Sequence, residues 1–448
     1  MRTLNRSVLM LILATLGMAA FVPAARAVPS YTRQTGLTCA ACHTLYPALT
    51  PFGRQFKLNG YTMTGLTQVM AKETRQAPGL SLNREMPISA IVQVGLTSLD
   101  RAAPGQQNPS SAFPQSLSLY LAGAATPHVG TFIEFGYDQD SGKVALGMAD
   151  VRYANHVNWG GTESVYGVTF NNTPTLEDVW NSTPAYGYPF VASASAPTPA
   201  AGPFISSMNV ASNVLGVGGY SKRGDWYGDV SFYRSAPQGQ PVGTLDMSIS
   251  GTAPYLRLAW SRDTAAHSVE FGVFGLRADY RPMGTSPMMD RYTDLGVDGQ
   301  YQYFAPDGLN ILELHGSYIR EKTVWGATTT SNPSDVTHFL SANGSWIYAR
   351  RYGVILGYFQ TVGATDCLLY NGNTDCVGTV VAVSGSRTGS PNSRGYTIEF
   401  DYLPWQNLKL ATQYTLYRKF NGAAGNYDGN GRNAADNNTF YVNVMLSF

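Results

Sequence analysis

The chain has 448 residues, a formal net charge of +1 and only 13% Asp, Glu, Lys and Arg, against a usual ~25%. So little charge does not suit a soluble secreted domain, and the near-neutral balance argues against nucleic acid as a partner. Tyr (28), Gly (47) and a 12% aromatic content fit a membrane β-barrel better.

Residues 1–27 read as a signal peptide. Arg2 and Arg6 form a basic start, Val8 to Val22 is mostly apolar, and Ala25-Arg26-Ala27 places small residues where signal peptidase inspects. The apolar run is short for a spanning helix. Cleavage before Val28 removes three arginines and no acids, which leaves 27 bases against 29 acids, a net charge of −2. No later segment offers an apolar run long enough for a transmembrane helix.

Residues 28–85 do not read as strands. They carry Cys39-Ala40-Ala41-Cys42-His43. Two thiols at this spacing add to both vinyl groups of one haem, and the adjacent imidazole reaches the iron, so Cys39, Cys42 and His43 are the expected covalent haem c site. A zinc site needs a second Cys or His pair at ligand spacing, and a dithiol oxidoreductase needs a βαβ context; neither is present in the sequence. The sixth ligand is left open among Met63, twenty residues on, then Met70, and His315 if the haem sits within a barrel. The prolines and glycines between Thr44 and Tyr61 break the segment into short turns or helices. At under sixty residues it needs a staple or a host surface. Covalent haem is one staple, and a barrel lumen that the segment plugs is one host.

Residues 86–448 form a series of short segments with period-two hydrophobicity, separated by Gly, Pro, Asn, Asp and Ser. Clear runs include Ile88 to Thr97, Val129 to Tyr137, Trp226 to Arg234, Tyr255 to Ser261, Thr293 to Tyr303 and Leu408 to Arg418. Filling in the rest predicts an all-β, antiparallel outer-membrane barrel of about sixteen strands. Connections alternate short and long. Thr126-Pro127, His156 to Gly161 and Gly224-Asp225 are short, whereas Asn172 to Ser212 and Thr361 to Ser393 are long. Short turns belong on the periplasmic side and long loops outside, so both termini are expected in the periplasm. Cys367 and Cys376 then lie in an outer loop, where a disulfide is expected. Strand parity turns Tyr396, Ile398 and Phe400 to lipid and Glu134, Asp138, Asp229, Asp294, Asp298, Glu313, His315, Arg257 and Lys409 to the lumen. Such an acidic interior favours cations.

From Val28-Pro29-Ser30 through Arg33-Gln34-Thr35-Gly36, the Cys39–His43 motif, Pro47-x-Leu49 and Phe52-Gly53-Arg54 to Gly60-Tyr61, the chain resembles the outer-membrane fused monohaem cytochrome–porins. The best-known members are ferrous iron oxidases. The resemblance implies one covalent haem c and an extracellular donor, typically Fe(II). It also implies a periplasmic c-type cytochrome or other soluble carrier as electron acceptor. The chemistry then belongs to the cofactor, and no side chain need act as acid or base. The competing reading is a diffusion porin whose haem is structural or sensory.

Overall fold

A computed structural model describes residues 30–63, 68–70, 81–138, 142–183, 191–207, 214–235, 247–282, 288–378 and 380–448. The expected signal peptide, residues 1–27, lies outside them, as does the Asp138 side chain.

Sixteen long strands follow one another in the second region. The first eight are β1 (Ile88–Leu99), β2 (Ser110–Ala124), β3 (Val129–Asp138), β4 (Lys143–Trp159), β5 (Thr162–Asn171), β6 (Val214–Arg223), β7 (Trp226–Ser235) and β8 (Ala253–Asp263). The second eight are β9 (His267–Arg281), β10 (Asp290–Phe304), β11 (Ile311–Val324), β12 (Ser334–Tyr348), β13 (Tyr352–Gly363), β14 (Ser393–Trp405), β15 (Leu408–Lys419) and β16 (Thr439–Ser447). Each pairs antiparallel with its neighbour in sequence, and β16 returns to β1 from Thr439↔Leu99 to Ser447↔Ile91. The barrel is therefore closed, with no free edge. Ser248–Ser250 adds a short extension beside the end of β9.

The strands alternate because their two faces meet different solvents. On β8, Leu256 and Leu258 point outward, while Tyr255, Arg257, Ala259 and Ser261 are buried within. The same parity exposes Phe271, Val273, Leu295, Val297, Leu356 and Phe400. No water in a bilayer core can satisfy an open sheet edge, so a closed barrel with an apolar outside is the β architecture that spans one. This is an outer-membrane barrel. Among the described residues no helix is long and apolar enough to cross a membrane.

One end of the barrel carries tight turns. Gly160 and Gly161 close β4 to β5 with φ of +59° and +78°, the left-handed backbone that a two-residue hairpin requires. That connection is shorter than expected, because β4 runs on to Trp159 and only the two glycines turn. The other end carries the long loops. Cys367 and Cys376 form a disulfide in the loop between β13 and β14.

The loop after β5 departs from expectation more strongly. It was expected outside, yet residues 173–183 run buried through the lumen. The wall pairs with it: Arg152 Nη2 donates to Leu176 O (3.0 Å) and Glu177 (2.9 Å). Further along, Phe204 N donates to Glu321 and Ile205 N to Asp294, each at 2.7 Å.

The N-terminal segment lies inside the same barrel, at the end with the tight turns. It contains α1 (Ser30–Thr35), α2 (Cys39–Cys42) and α3 (Pro51–Leu58). Pro51 does not break this region. It occupies the first turn of α3, where a missing N–H costs nothing.

Candidate functional site

The motif occupies α2 and the residue after it. Cys39 and Cys42, three apart on one helical turn, share a face. His43 leaves the helix in extended conformation and returns its backbone N–H to Cys39 O (2.9 Å). A short loop then folds back, closed by Thr44 N to Ala48 O (3.2 Å) and Thr50 N to Cys42 O (2.9 Å). This places Ala48 O 3.3 Å from His43 Nδ1. A carbonyl only accepts, so Nδ1 donates and Nε2 keeps its lone pair. Metal-ligating histidines are oriented by this kind of partner.

Thr50 caps α3, accepting from Gly53 N at 3.1 Å and donating to Ala41 O at 2.6 Å. A Cβ at residue 53 would lie 2.2 Å from Cys42 O. Glycine is what lets α3 lie directly against the motif.

The wall holds this segment with directed bonds. Arg54 donates through Nη1 to Leu49 O, Gln300 and Gln302 (2.8–3.0 Å), and through Nη2 to Ser268 (2.6 Å) and Asp263 (3.2 Å). Thr44 Oγ1 donates to Glu313 (2.6 Å), Tyr61 to Asp150 (2.7 Å), and Tyr220 of β6 to Leu58 O (2.7 Å). Backbones also approach closely, since a Cβ at Gly130 would lie 2.2 Å from Gly60 O. Arg350 and Gln406, both in tight turns, bind the carbonyl and N–H of Ala40 at 2.6 and 3.2 Å. The motif therefore faces the tight-turn mouth, the periplasmic one.

Between segment and wall lies a cavity of about 230 Å³. The segment contributes Tyr31, Leu37, Cys39, Cys42, His43, Phe52 and Phe56; the wall contributes Ile91, Tyr120, Phe132, Leu403 and Met445. The lining is mostly apolar and aromatic, as a porphyrin face requires. Burial pushes the Cys42 thiol up to about 11 and Cys39 upward too, and it lowers His43. Dithiol oxidoreductases and thiolate metal sites depress such values instead. Among the described residues no group of three or more His, Cys, Asp and Glu is placed to hold a metal ion. The two thiols, the free Nε2 and the apolar walls fit a covalent haem.

The two distal candidates with described side chains lie elsewhere. Met63 is half-buried and does not line the cavity; the turn after α3 carries it past the chamber. His315 lies deeper in the lumen, its Nε2 2.6 Å from Glu313. The Met70 side chain lies outside the described residues. Met445 of the last strand also lines the chamber; parity alone turns it inward, but nothing in the sequence places the plug against it.

The lumen acids with described side chains are inward as expected, and several of them are paired with buried bases. Arg257 is ringed by Asp178 (3.4 Å), Glu270 (3.0 Å) and Asp298 (2.8 Å), and Lys409 by Glu399 (3.0 Å) and Asp401 (3.1 Å). Asp229 accepts from Ser231, and Asp294 from the inserted loop. The inserted loop also meets the plug, through Asn181 Nδ2 and Pro47 O (3.3 Å).

No protein-family model and no curated protein sequence matches the chain. Solved structures do. The anion-selective porin of Comamonas acidovorans is 14% identical, with 81% of this chain and 98% of that one covered and a TM-score of 0.48. The outer membrane channel DcaP of Acinetobacter baumannii gives 15%, 81%, 96% and 0.45. OmpT of Vibrio cholerae gives 10%, 81%, 98% and 0.44. At such identities and scores the likenesses say nothing of function, and the closed ring of sixteen strands establishes the barrel by its own pairing.

Proposed function

We propose that this chain is an outer-membrane electron-transfer protein carrying one haem c, bound through Cys39 and Cys42 with His43 Nε2 on the iron. The observation that carries the reading is the His43 imidazole. Its Nδ1 is tied to Ala48 O and its Nε2 is left for a metal, beside two cysteines on the wall of an apolar chamber inside the barrel. When bound, the haem accepts one electron from a donor as its iron passes from ferric to ferrous, and releases it to an acceptor. The chain's own residues do the rest. Tyr31, Phe56, Phe132 and Leu403 exclude water, Ala48 O orients the ligand, and Arg54 and Thr44 fix the segment to the wall. Ala40, Arg350 and Gln406 stand at the periplasmic mouth, where a soluble carrier would dock. The resemblance to iron-oxidising cytochrome–porins makes Fe(II) the donor to test first.

The charged, polar lumen favours a second reading, a diffusion channel whose haem is structural. The experiment is to purify the folded protein, stain a denaturing gel for haem, then mix the oxidised protein rapidly with Fe(II). Electron transfer predicts a stained band and reduction of the haem spectrum. A stained band that no donor reduces, together with large single-channel conductance in planar bilayers, would establish the channel instead.

A further inference from the structure

The haem reading leaves the sixth coordination position open, and the chamber wall narrows the choice. An iron held by His43 takes its other axial ligand from a side chain that reaches the same chamber and has a donor atom to spare. Most donors that line the chamber are committed. Tyr61 donates to Asp150, Tyr120 to Glu134 and Tyr31 to Thr131 O, at 2.6–3.0 Å. Lys409 is held by two carboxylates as an ammonium ion, with no lone pair to give. Asn181 and Gln406 spend their amides on the backbone of the plug.

Met445 differs from all of these. It lies on β16, where Thr439, Tyr441 and Asn443 precede it on the inward face, so it is an apolar side chain at the end of a polar row. It is 5% exposed, and no other methionine with a described side chain is buried. It packs in one cluster with Ile91, Tyr120 and Ala122, against which Tyr31 and Tyr46 rest; Tyr46 in turn lies 5.4 Å, ring to ring, from His43. A thioether needs no hydrogen bond to be buried, and it is the soft ligand of His/Met haem sites.

We propose that Met445 supplies the thioether on the distal side of the haem, so that the last barrel strand, rather than the plug, completes the coordination. This rests on the haem reading above. A plug held to the iron by a wall residue is also fixed in the barrel through the cofactor.

The test is a pair of variants of the full-length protein, examined by absorption spectroscopy, carbon monoxide binding and redox titration. Met445→Leu keeps the volume and the packing but removes the sulfur. Wild type is expected to be low-spin, to show the weak sulfur-to-iron charge-transfer absorption in the ferric state, and to resist carbon monoxide in the ferrous state. Met445→Leu is expected to lose that absorption, turn high-spin and bind carbon monoxide readily. Met445→His is expected to restore a low-spin spectrum at a lower potential, since a thioether raises it. Haem that stays covalently bound while Met445→Leu matches wild type in spectrum and carbon monoxide binding overturns the ligand alone. A wild-type chain without covalent haem overturns both readings.

Discussion

The two ends of the lumen are built from the same alternating strands but are filled by different segments of the chain. Towards the long loops, residues 173–183 and Phe204-Ile205 occupy the interior, held by ionic and polar contacts: Arg152 with Asp150 and Glu177, Arg257 with three carboxylates, Asp294 and Glu321 on backbone N–H groups. Beside them lies a closely packed cluster in which Phe204 stacks on Tyr292 at 4.3 Å. Towards the tight turns, the plug brings Tyr31, Phe56 and Tyr61 against Phe132 and Tyr120, with ring centroids 5.1–6.4 Å apart around an apolar chamber. A barrel wall supplies polar inward side chains by default. At the tight-turn end apolar wall residues, Ile91, Phe132, Leu403 and Met445, meet the apolar face of the plug, and a chamber stays open between them.

The sharpest way to break that contrast is at Arg54, a cation of the plug that the wall ties down by four hydrogen bonds. Arg54→Ala leaves Gln300, Gln302, Ser268 and Asp263 without their donor. Gln300, Gln302 and Ser268 are buried, and a buried polar group left without its partner costs about 1–3 kcal/mol. Limited proteolysis of folded, detergent-solubilised protein should then cleave the plug while the barrel resists. A plug that stays protected would mean that the barrel wall holds it chiefly elsewhere.

Lys57 stands where the two fillings meet, on α3 of the plug but facing Arg152, Asp150, Glu177 and Asp178. Burial, helped by the Arg152 charge, holds its amine down at about 8, against 10.5 for a free lysine. Between those two values the unfolded chain binds more protons than the folded one, so this group makes stability rise with pH across that window. Below about 8 its penalty is complete, on the order of 3 kcal/mol from the shift. Lys57→Met should therefore be more stable than wild type near neutral pH and lose that advantage as the pH approaches 10.5. Urea unfolding of both proteins in detergent across this range measures the difference. A constant difference would show that Lys57 is compensated by the carboxylates around it.

The strands were legible because a barrel wall repeats one simple rule. Tyr255, Arg257 and Ala259 alternate with Leu256 and Leu258, and the turn residues mark the ends. The motif was legible because its chemistry is written in five consecutive residues. The inserted loop was not. Thr173 to Thr183 carries enough Thr, Asn, Ser, Asp and Glu to read as a surface loop, and what holds it inside, the pairing of Glu177 with Arg152 and Asp178 with Arg257 and the packing of Val179 and Trp180, comes from other strands. Met445 stayed hidden for a related reason: its strand shows which face it takes, but not that the plug ends against that face. Gly53 is the intermediate case, present in the sequence as part of Phe52-Gly53-Arg54 without a physical reason attached.

That reason gives the finest test of the plug as a fitted part. α3 approaches the Cys42 carbonyl so closely that an added methyl would lie 2.2 Å from it, and backbone cannot swing aside as a side chain does. Gly53→Ala must therefore push α3 away from α2, at a cost of about 1–3 kcal/mol typical of overpacking. Arg54, one residue on, keeps α3 pinned to the wall, so the strain falls on the motif side. The plug should remain protease-resistant while the haem content per protein, read from the pyridine haemochrome spectrum, declines. Equal haem content in Gly53→Ala and wild type would mean that the contact serves packing alone. Loss of protease resistance as well would mean that the chamber and its anchor are one cooperative unit.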